Sequence, residues 1–357
     1  MKILHTSDLH LKNVGDERWQ ALEEILELAK NEKVNLLIIS GDLFDRHYDA
    51  QNLRDKIRPL FSGNDFKIII IPGNHDRDAF IKGYDFGSDV IVLDEENYSV
   101  ELDDLKIFGM AFKEFTQDEI LKNLRKYSKE TTKEKPNILV FHGELLDVVY
   151  RPEDFGEEEK NYMPVKLAYF KGLNFDYILA GHFHTGFYVN EFEKGKYFVY
   201  PGSPVSITKK ETGKRKVNLM EIGAPPQEKE IDSFHYERLE IFLDPSKNEN
   251  PLKILQNRLK KLGKNAQGIL RMEGYYNSEV LGLTEEELKR EIMRLCGDKC
   301  VDIDKGFRCI DLKIIAEDDI VKKFTKKLEQ RNIDEERRRD LFNLIVKAML
   351  ELKYGGK

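Results

Sequence analysis

Residues 68–77 read IIIIPGNHDR. Four consecutive β-branched residues make a strand that is buried on both faces, which is the character of a strand inside a parallel sheet. Pro72 and Gly73 then turn the chain, and an amide, an imidazole and a carboxylate follow without an apolar residue between them. Asn74 and Asp76 are ordinary turn residues. His75 is not, and it asks for a chemical reason.

The arrangement recurs along the first 225 residues. The runs KILHTSDLH (2–10), VNLLIISGD (34–42), NILVFHGE (137–144) and FDYILAGHFH (175–184) each end in side chains able to bind a metal. In DLH, Asp8 and His10 are two residues apart, so an extended backbone points both the same way, and His182 and His184 repeat that spacing. Asp42, Asn74 and His142 complete the set. Five of the eight histidines stand at carboxyl ends of predicted strands, where ligand sites of open α/β sheets gather. Nitrogen and oxygen donors without thiolate suit manganese, iron or zinc. Seven donors exceed one ion's needs, whereas a carboxylate-bridged pair of ions clamps the attacking and leaving oxygens of an in-line displacement.

Between these runs, Trp19, Leu22, Leu26 and Ala29 fall at helical spacing, and Gln51 to Ser62 read as a second helix. Strands alternating with helices predict an α/β fold with helices on the sheet faces. YSVELDDLKIFGM (98–110) and GFYVNEFEKGKYFVYPGS (186–203) read as hairpins, so the sheets are expected to be mixed. GAPPQEKE (223–230) breaks the periodicity and closes a first domain at about residue 225. Residues 232–316 then give strand, helix, strand, helix, strand, a small second domain in which Thr284 and Glu287 form a capping box. Residues 317–357 read as a helical hairpin over 318–331 and 335–353. Ile320, Val321, Phe324 and Leu328 line one helix, and Leu341, Phe342, Ile345, Val346, Met349 and Leu350 the other. Such stripes either pack on the rest of the chain or dock on another protein.

Composition sets bounds. The chain has 357 residues, 40% of them hydrophobic, ample for a large core. No run approaches the roughly 18 apolar residues of a spanning helix, and MKILHTSDLH lacks the pattern of a signal peptide, so no membrane association and a cytoplasmic, unexported protein are expected. Three cysteines, Cys296, Cys300 and Cys309, fit reduced thiols. The net charge of −7 is uneven: residues 1–225 carry about −8 and residues 317–357 about +2. Acidity concentrated among histidines points to divalent cations. Two stretches are basic, 253–271 with six basic residues and no acidic one, and KKETGKRK (209–216) with five against one. Each is either a solvated face or a phosphate-binding surface.

The ordered set DLH, GD, GNHD, FHGE, GHFH resembles the calcineurin-like metallophosphoesterase family, with the match covering roughly residues 1–210. The resemblance implies a four-layer α/β/β/α sandwich. It implies that Asp8, His10 and His184 hold one ion and Asn74, His142 and His182 the other, with Asp42 as bridge and His75 free to act on substrate. Within the family, TSDLHL, GDLFD, FHGE and GHFHTG are similar to the DNA double-strand-break repair nucleases of the Mre-eleven/SbcD type. Those carry a capping domain and, in many members, a terminal helix-loop-helix that docks on a Rad-fifty/SbcC-type ATPase. The implied protein is a homodimer with two Mn2+ per chain, Mg2+, Fe2+ or Zn2+ being alternatives, acting on DNA ends. Phosphate contacts are expected from Arg46, Lys209, Lys210, Lys214, Arg215, Arg258, Lys260, Lys261 and Lys264, and ATPase contacts from Ile320, Phe324, Leu328, Leu341, Phe342, Ile345 and Met349. One departure stands out, because many members have histidine after GDLF and this chain has Asp45 and Arg46. GDLFDR also resembles the phosphatase pattern in which the Asp orients the GNHD histidine, and Asp45 would then support His75. The alternatives are a phosphomonoesterase or small-molecule phosphodiesterase on the same core, and a scaffold serving chiefly the ATPase.

Overall fold

The computed structural model describes the chain apart from residues 81–83, 103, 148–162, 244–249, 312, 314–317, 332 and 355–357. Two compact units result, Met1–His235 and Tyr236–Lys357.

In the first unit β1 (Lys2–Thr6), β2 (Leu36–Ser40), β3 (Lys67–Ile71) and β4 (Val90–Val92) lie parallel. The helices α1 (Glu17–Asn31) and α2 (His47–Leu60) connect the first three. Two later strands, β11 (Lys216–Glu221) and β12 (Gln227–Glu230), add antiparallel on the other side of β1, giving a six-stranded sheet. A second six-stranded sheet has the order β5-β6-β7-β8-β10-β9, from β5 (Ser99–Glu101), β6 (Lys106–Met110), β7 (Asn137–His142), β8 (Tyr177–Gly181), β9 (Tyr188–Glu193) and β10 (Lys196–Tyr200). It is mixed, with β5 and β9 antiparallel to their neighbours as hairpins. α3 (Gln117–Glu130) opens on a Thr116–Glu119 capping box.

Side chains two apart on each strand divide between two cores. Ile68 and Ile70 pack with Trp19, Leu22, Leu53 and Ile57 beneath α1 and α2. Ile69 and Ile71 face the other way, against Ile107, Ile138, Val140 and Leu179 of the second sheet. The far face of that sheet packs Phe108, Leu139 and Ile178 with Ile120 and Leu124 of α3. The layers are therefore helix, sheet, sheet, helix, the sandwich expected from the resemblance.

Three local differences from the sequence reading have physical causes. α2 begins four residues before Gln51, because Arg46 adopts the extended N-cap conformation and Asp49 supplies first-turn acidity. QEKE, read as part of a linker, is the edge strand β12, whose register puts Lys216 beside Glu230 and Asn218 beside Glu228. The first unit accordingly continues to His235.

In the second unit β13 (His235–Leu243), β14 (Ala266–Tyr276), β15 (Cys300–Val301) and β16 (Phe307–Asp311) form a four-stranded sheet. The helices Pro251–Lys261 and Glu285–Cys296 bury Leu255, Leu259, Leu288 and Ile292 on it. The second helix starts at the expected Thr284–Glu287 capping box. All three cysteines are buried free thiols. The last helices, Asp319–Glu329 and Glu335–Tyr354, pack Val321, Val346 and Met349 against Tyr275 and Ile310 of the same unit. Leu328 and Met349, expected to meet a partner, are therefore buried within the unit at 7% and 5% exposure, and Ile320 is the open member of the stripe at 59%. The side chain of Leu350, and residues 312 and 314–316 at the end of the last strand expected in the second domain, lie outside the described residues.

Ile69 bears on both the sheet interface and the placement of the PGNH turn. Ile69→Ala should lower unfolding stability by about 2–5 kcal/mol through lost burial and a residual cavity. The check is a shift in urea midpoint at unchanged m-value.

Candidate metal centre

The strand ends converge. Asp8, His10, Asp42, His142, His182 and His184 are all buried at 3% exposure or less. The Nε2 atoms of His10 and His184 face each other at 3.3 Å, and Asp8 Oδ1 lies 3.5 Å from His184 Nε2. On the other side, His142 Nε2 is 2.9 Å from Asn74 Oδ1. Asp42 stands between the two groups, with Oδ2 3.8 Å from His10 Nε2 and 3.3 Å from His142 Nε2. That oxygen accepts no hydrogen bond, while Oδ1 accepts the His75 backbone N–H at 2.9 Å. Ligand atoms of Asp8, His10 and His184 lie within 4.8 Å of one another, as do those of Asp8, Asp42 and His142. The ring of His182 packs edge-on to His142 at 5.4 Å, and its backbone N–H donates to both Asp8 oxygens.

The backbone is bent to bring these groups together. Asp8, His10 and Asp42 sit at φ 56°, 50° and 51°, and His182 at 101°. Left-handed backbone is uncommon for residues with a Cβ, though Asp and His tolerate it best, and such strain gathers at functional sites. Glycine allows the close approaches. A Cβ on Gly73 would lie 2.1 Å from Asp42 Oδ1, and one on Gly41 2.0 Å from His142 Nδ1.

Charge is tightly coupled here. Burial opposes ionisation of Asp42, yet His142 holds its pKa well below the carboxylate range. Burial likewise disfavours a charged His142, but Asp42 raises it to about 9. His184, between Asp8 and Glu211, is held well above the ordinary imidazole value despite burial. Asp76 is explained by the turn itself: it is fully buried, accepting from Gly73 N–H at 2.7 Å and Phe44 N–H at 3.1 Å. Burial and the neighbouring Asp42 push it up to about 7.

His75 is the most exposed of the set. Its ring stands edge-on to His10 at 4.6 Å, and it lies close enough to His10 and Asp42 to share a ligand cluster with them. Asp45 contacts it differently from expectation. His75 Nδ1 lies 3.2 Å from the Asp45 carbonyl oxygen, whereas the Asp45 carboxylate is taken up by Arg18 at 2.8 Å, Lys12 at 3.0 Å and His10 Nδ1 at 3.6 Å. The cations of α1 and its leading loop draw the carboxylate towards His10.

Arg215 corrects a second expectation. At 3% exposure it cannot meet a phosphate. Its guanidinium donates to the carbonyls of Ser203, Thr185 and His184, so it fixes the GHFH loop from inside. Lys209, Lys210 and Lys214 are exposed, as are Arg46, Arg258, Lys260, Lys261 and Lys264. The sequence reading passed over Glu211, the one acidic residue of KKETGKRK, which is 1% exposed with Oε1 3.5 Å from His184 Nδ1. Its only sequence signal is being a lone acid in a basic run.

Two buried carboxylates, four buried imidazoles and an amide have the donor chemistry of a divalent-metal centre, with Asp42 Oδ2 between His10 Nε2 and His142 Nε2. With the sandwich, they define a metal-dependent hydrolase. The calcineurin-like phosphoesterase family matches residues 1–186, more than half the chain, and the chain belongs to it. A curated relative from Staphylococcus epidermidis, the D subunit of nuclease SbcCD, is 26% identical over 250 residues. The match covers 60% of this chain and 64% of the relative, less than two-thirds of its length. Among solved structures, a Thermus thermophilus protein is 14% identical with a TM-score of 0.40 over 64% of this chain and 98% of its own. A purple acid phosphatase from yellow lupin seeds is 12% identical with a TM-score of 0.40 over 62% and 49%.

Beneath the centre, His5 is fully buried, with Nε2 2.7 Å from Ser40 Oγ, and burial lowers its pKa to about 3. An imidazole of ordinary pKa when unfolded and about 3 when folded contributes stability in full above the unfolded value, and loses it as pH falls towards 3. His5→Gln should therefore flatten the loss. The difference in urea midpoint between the variant and the parent should narrow or invert from pH 7 to pH 4.5, and a constant difference would contradict the assignment.

Proposed function

We propose that the protein is a two-metal DNA nuclease, with two Mn2+ per chain, acting on DNA ends with a Rad-fifty/SbcC-type ATPase in double-strand-break repair, as a double-strand exonuclease and a single-strand or hairpin endonuclease. The observation that carries this reading is Asp42 Oδ2, buried between His10 Nε2 and His142 Nε2 with no hydrogen bond of good geometry among the described residues. The name of the Staphylococcus epidermidis relative and the presence of a second unit favour a polymeric substrate over a small phosphate ester.

Asp8, His10 and His184 would hold one ion, Asn74, His142 and His182 the other, with Asp42 between them. A pair of divalent ions held there would supply Lewis acidity to a water and to the oxygens of an in-line displacement. The chain does the rest. Asp76 fixes the turn that carries Asn74 and His75, through Gly73 and Phe44 N–H. His75, at the exposed lip, would donate a proton to the leaving sugar oxygen. Its Nδ1 contact with the Asp45 carbonyl favours the tautomer with hydrogen on Nδ1 and, when protonated, leaves Nε2–H for the substrate.

DNA would be held by lysine and arginine against phosphates, with Lys260 and Lys261 on the helix Pro251–Lys261 and Lys209, Lys210 and Lys214 near the GHFH loop. The last two helices would dock the ATPase through their open apolar side chains, Ile320, Leu344 and Leu352, with Phe324, Leu341, Phe342 and Ile345 at their margin. A homodimer and a nucleoid location belong to the same proposal. Among the described residues no helix is long and apolar enough to cross a membrane.

His75→Asn should retain both metal ions by elemental analysis while losing at least about 100-fold in Mn2+-dependent cleavage of end-labelled duplex and hairpin DNA, the scale of a lost general acid. Loss of metal in that variant would sink the role given to His75, and cleavage of nitrophenyl phosphate with none of DNA would favour the phosphomonoesterase. Charge reversal of Lys260 and Lys261 together should weaken duplex binding and flatten its dependence on salt concentration, in proportion to two lost phosphate contacts. Equal binding curves for parent and variant would remove that helix from the interface.

A further inference from the structure

Glu211 is a carboxylate with 1% exposure in the loop between β10 and β11, within an otherwise basic run. Its Oε2 accepts from Ile207 N–H at 2.8 Å, and its Oε1 from Thr208 N–H at 3.2 Å and Thr208 Oγ1 at 3.0 Å. Oε1 also stands 3.5 Å from His184 Nδ1, while Arg215 from the same loop donates to the His184 carbonyl. The loop thus grips His184 by ring and by backbone. At 3.5 Å the ring contact is an ion pair rather than a full hydrogen bond, and a small rotation of the imidazole closes it.

A histidine that binds metal through one nitrogen usually has a carboxylate or carbonyl behind the other, which fixes its orientation and raises its basicity. His142, from the other proposed position, differs from His10 and His184 in this respect. His10 Nδ1 faces the Asp45 carboxylate at 3.6 Å and His184 Nδ1 faces Glu211, whereas His142 Nδ1 faces the neutral Ser40 carbonyl at 2.8 Å. A carboxylate therefore backs each imidazole of the Asp8, His10, His184 position. We propose that Glu211 is the positioning residue for His184, and that it makes this position the tighter of the two. The inference rests on the metal-centre reading above.

The experiment is a Mn2+ titration of the metal-stripped full-length chain by calorimetry, with the metal-free melting temperature of each variant recorded beside it. The parent should bind two ions with unequal affinities. Glu211→Gln keeps an acceptor for the loop N–H groups but removes the charge behind His184, and should weaken the tighter event by about 10–100-fold while leaving the other unchanged. Thr208→Val, which removes a hydroxyl from the same carboxylate without touching the charge, should bind as the parent does. Glu211→Asp, which keeps the charge on a shorter stem, should fall between parent and Glu211→Gln, and it decides the matter if the latter does not fold. Parent-like binding by Glu211→Gln, or an equal loss in Thr208→Val, would overturn the inference. A parent that binds no divalent ion would instead overturn the metal-centre reading, and this inference with it.

Discussion

The whole first unit depends on keeping two carboxylates, Asp8 and Asp42, ionised at zero exposure. An ion removed from water loses several kcal/mol of hydration, and only close, well-placed partners return it. Among the described residues, no lysine or arginine forms an ion pair with either carboxylate. His142 and His184 serve instead, and their raised pKa values measure how strongly the carboxylates draw positive charge to the site. Imidazole is a weak cation, best neutral when it is a ligand. Divalent ions satisfy the carboxylates while letting the imidazoles be neutral donors, which makes metal the simplest resolution of the same electrostatic problem.

This constraint explains the sandwich around it. Seven groups from β1, β2, β3, β7 and β8 can meet at one point only if strands of both sheets end at the same edge. Parallel order does this within each sheet, and the Ile69, Ile71, Ile138 and Val140 layer keeps the two edges together. The left-handed backbone at Asp8, His10 and Asp42 is a local cost at strand ends, offset by the buried runs behind them. A polar residue that braces rather than binds belongs to the same scheme: Asp76 ties the turn after β3 to the loop after β2.

The side chains that the fold brings together were legible in the sequence as candidates because each follows a run of apolar residues whose period and length define a strand. Asp42, His142 and the DLH pair needed no tertiary information beyond that. The sandwich was legible from the same runs, with β12 missed because QEKE has no apolar face and is a strand only by pairing with β11. Asp45, Arg215 and Glu211 were misread or passed over because their roles are set by how loops close. A guanidinium in KKETGKRK looks like a phosphate contact until three carbonyls of other segments are seen to surround it. The apolar stripes of the last two helices were legible as stripes, but only the fold shows that Val321, Val346 and Met349 are taken up by Tyr275 and Ile310.

Asp45 shows how a familiar motif can change meaning without changing its letters. In GDLFDR the sequence invites a carboxylate aimed at His75, yet an ionised Asp goes where cations and imidazole N–H groups are, and here Arg18, Lys12 and His10 Nδ1 provide them. What reaches His75 is the Asp45 carbonyl, a neutral acceptor. A carbonyl acceptor fixes the orientation of an imidazole through its Nδ1–H. The same side chain that pairs with His10 thus leaves His75 held by a backbone carbonyl at the exposed lip of the site.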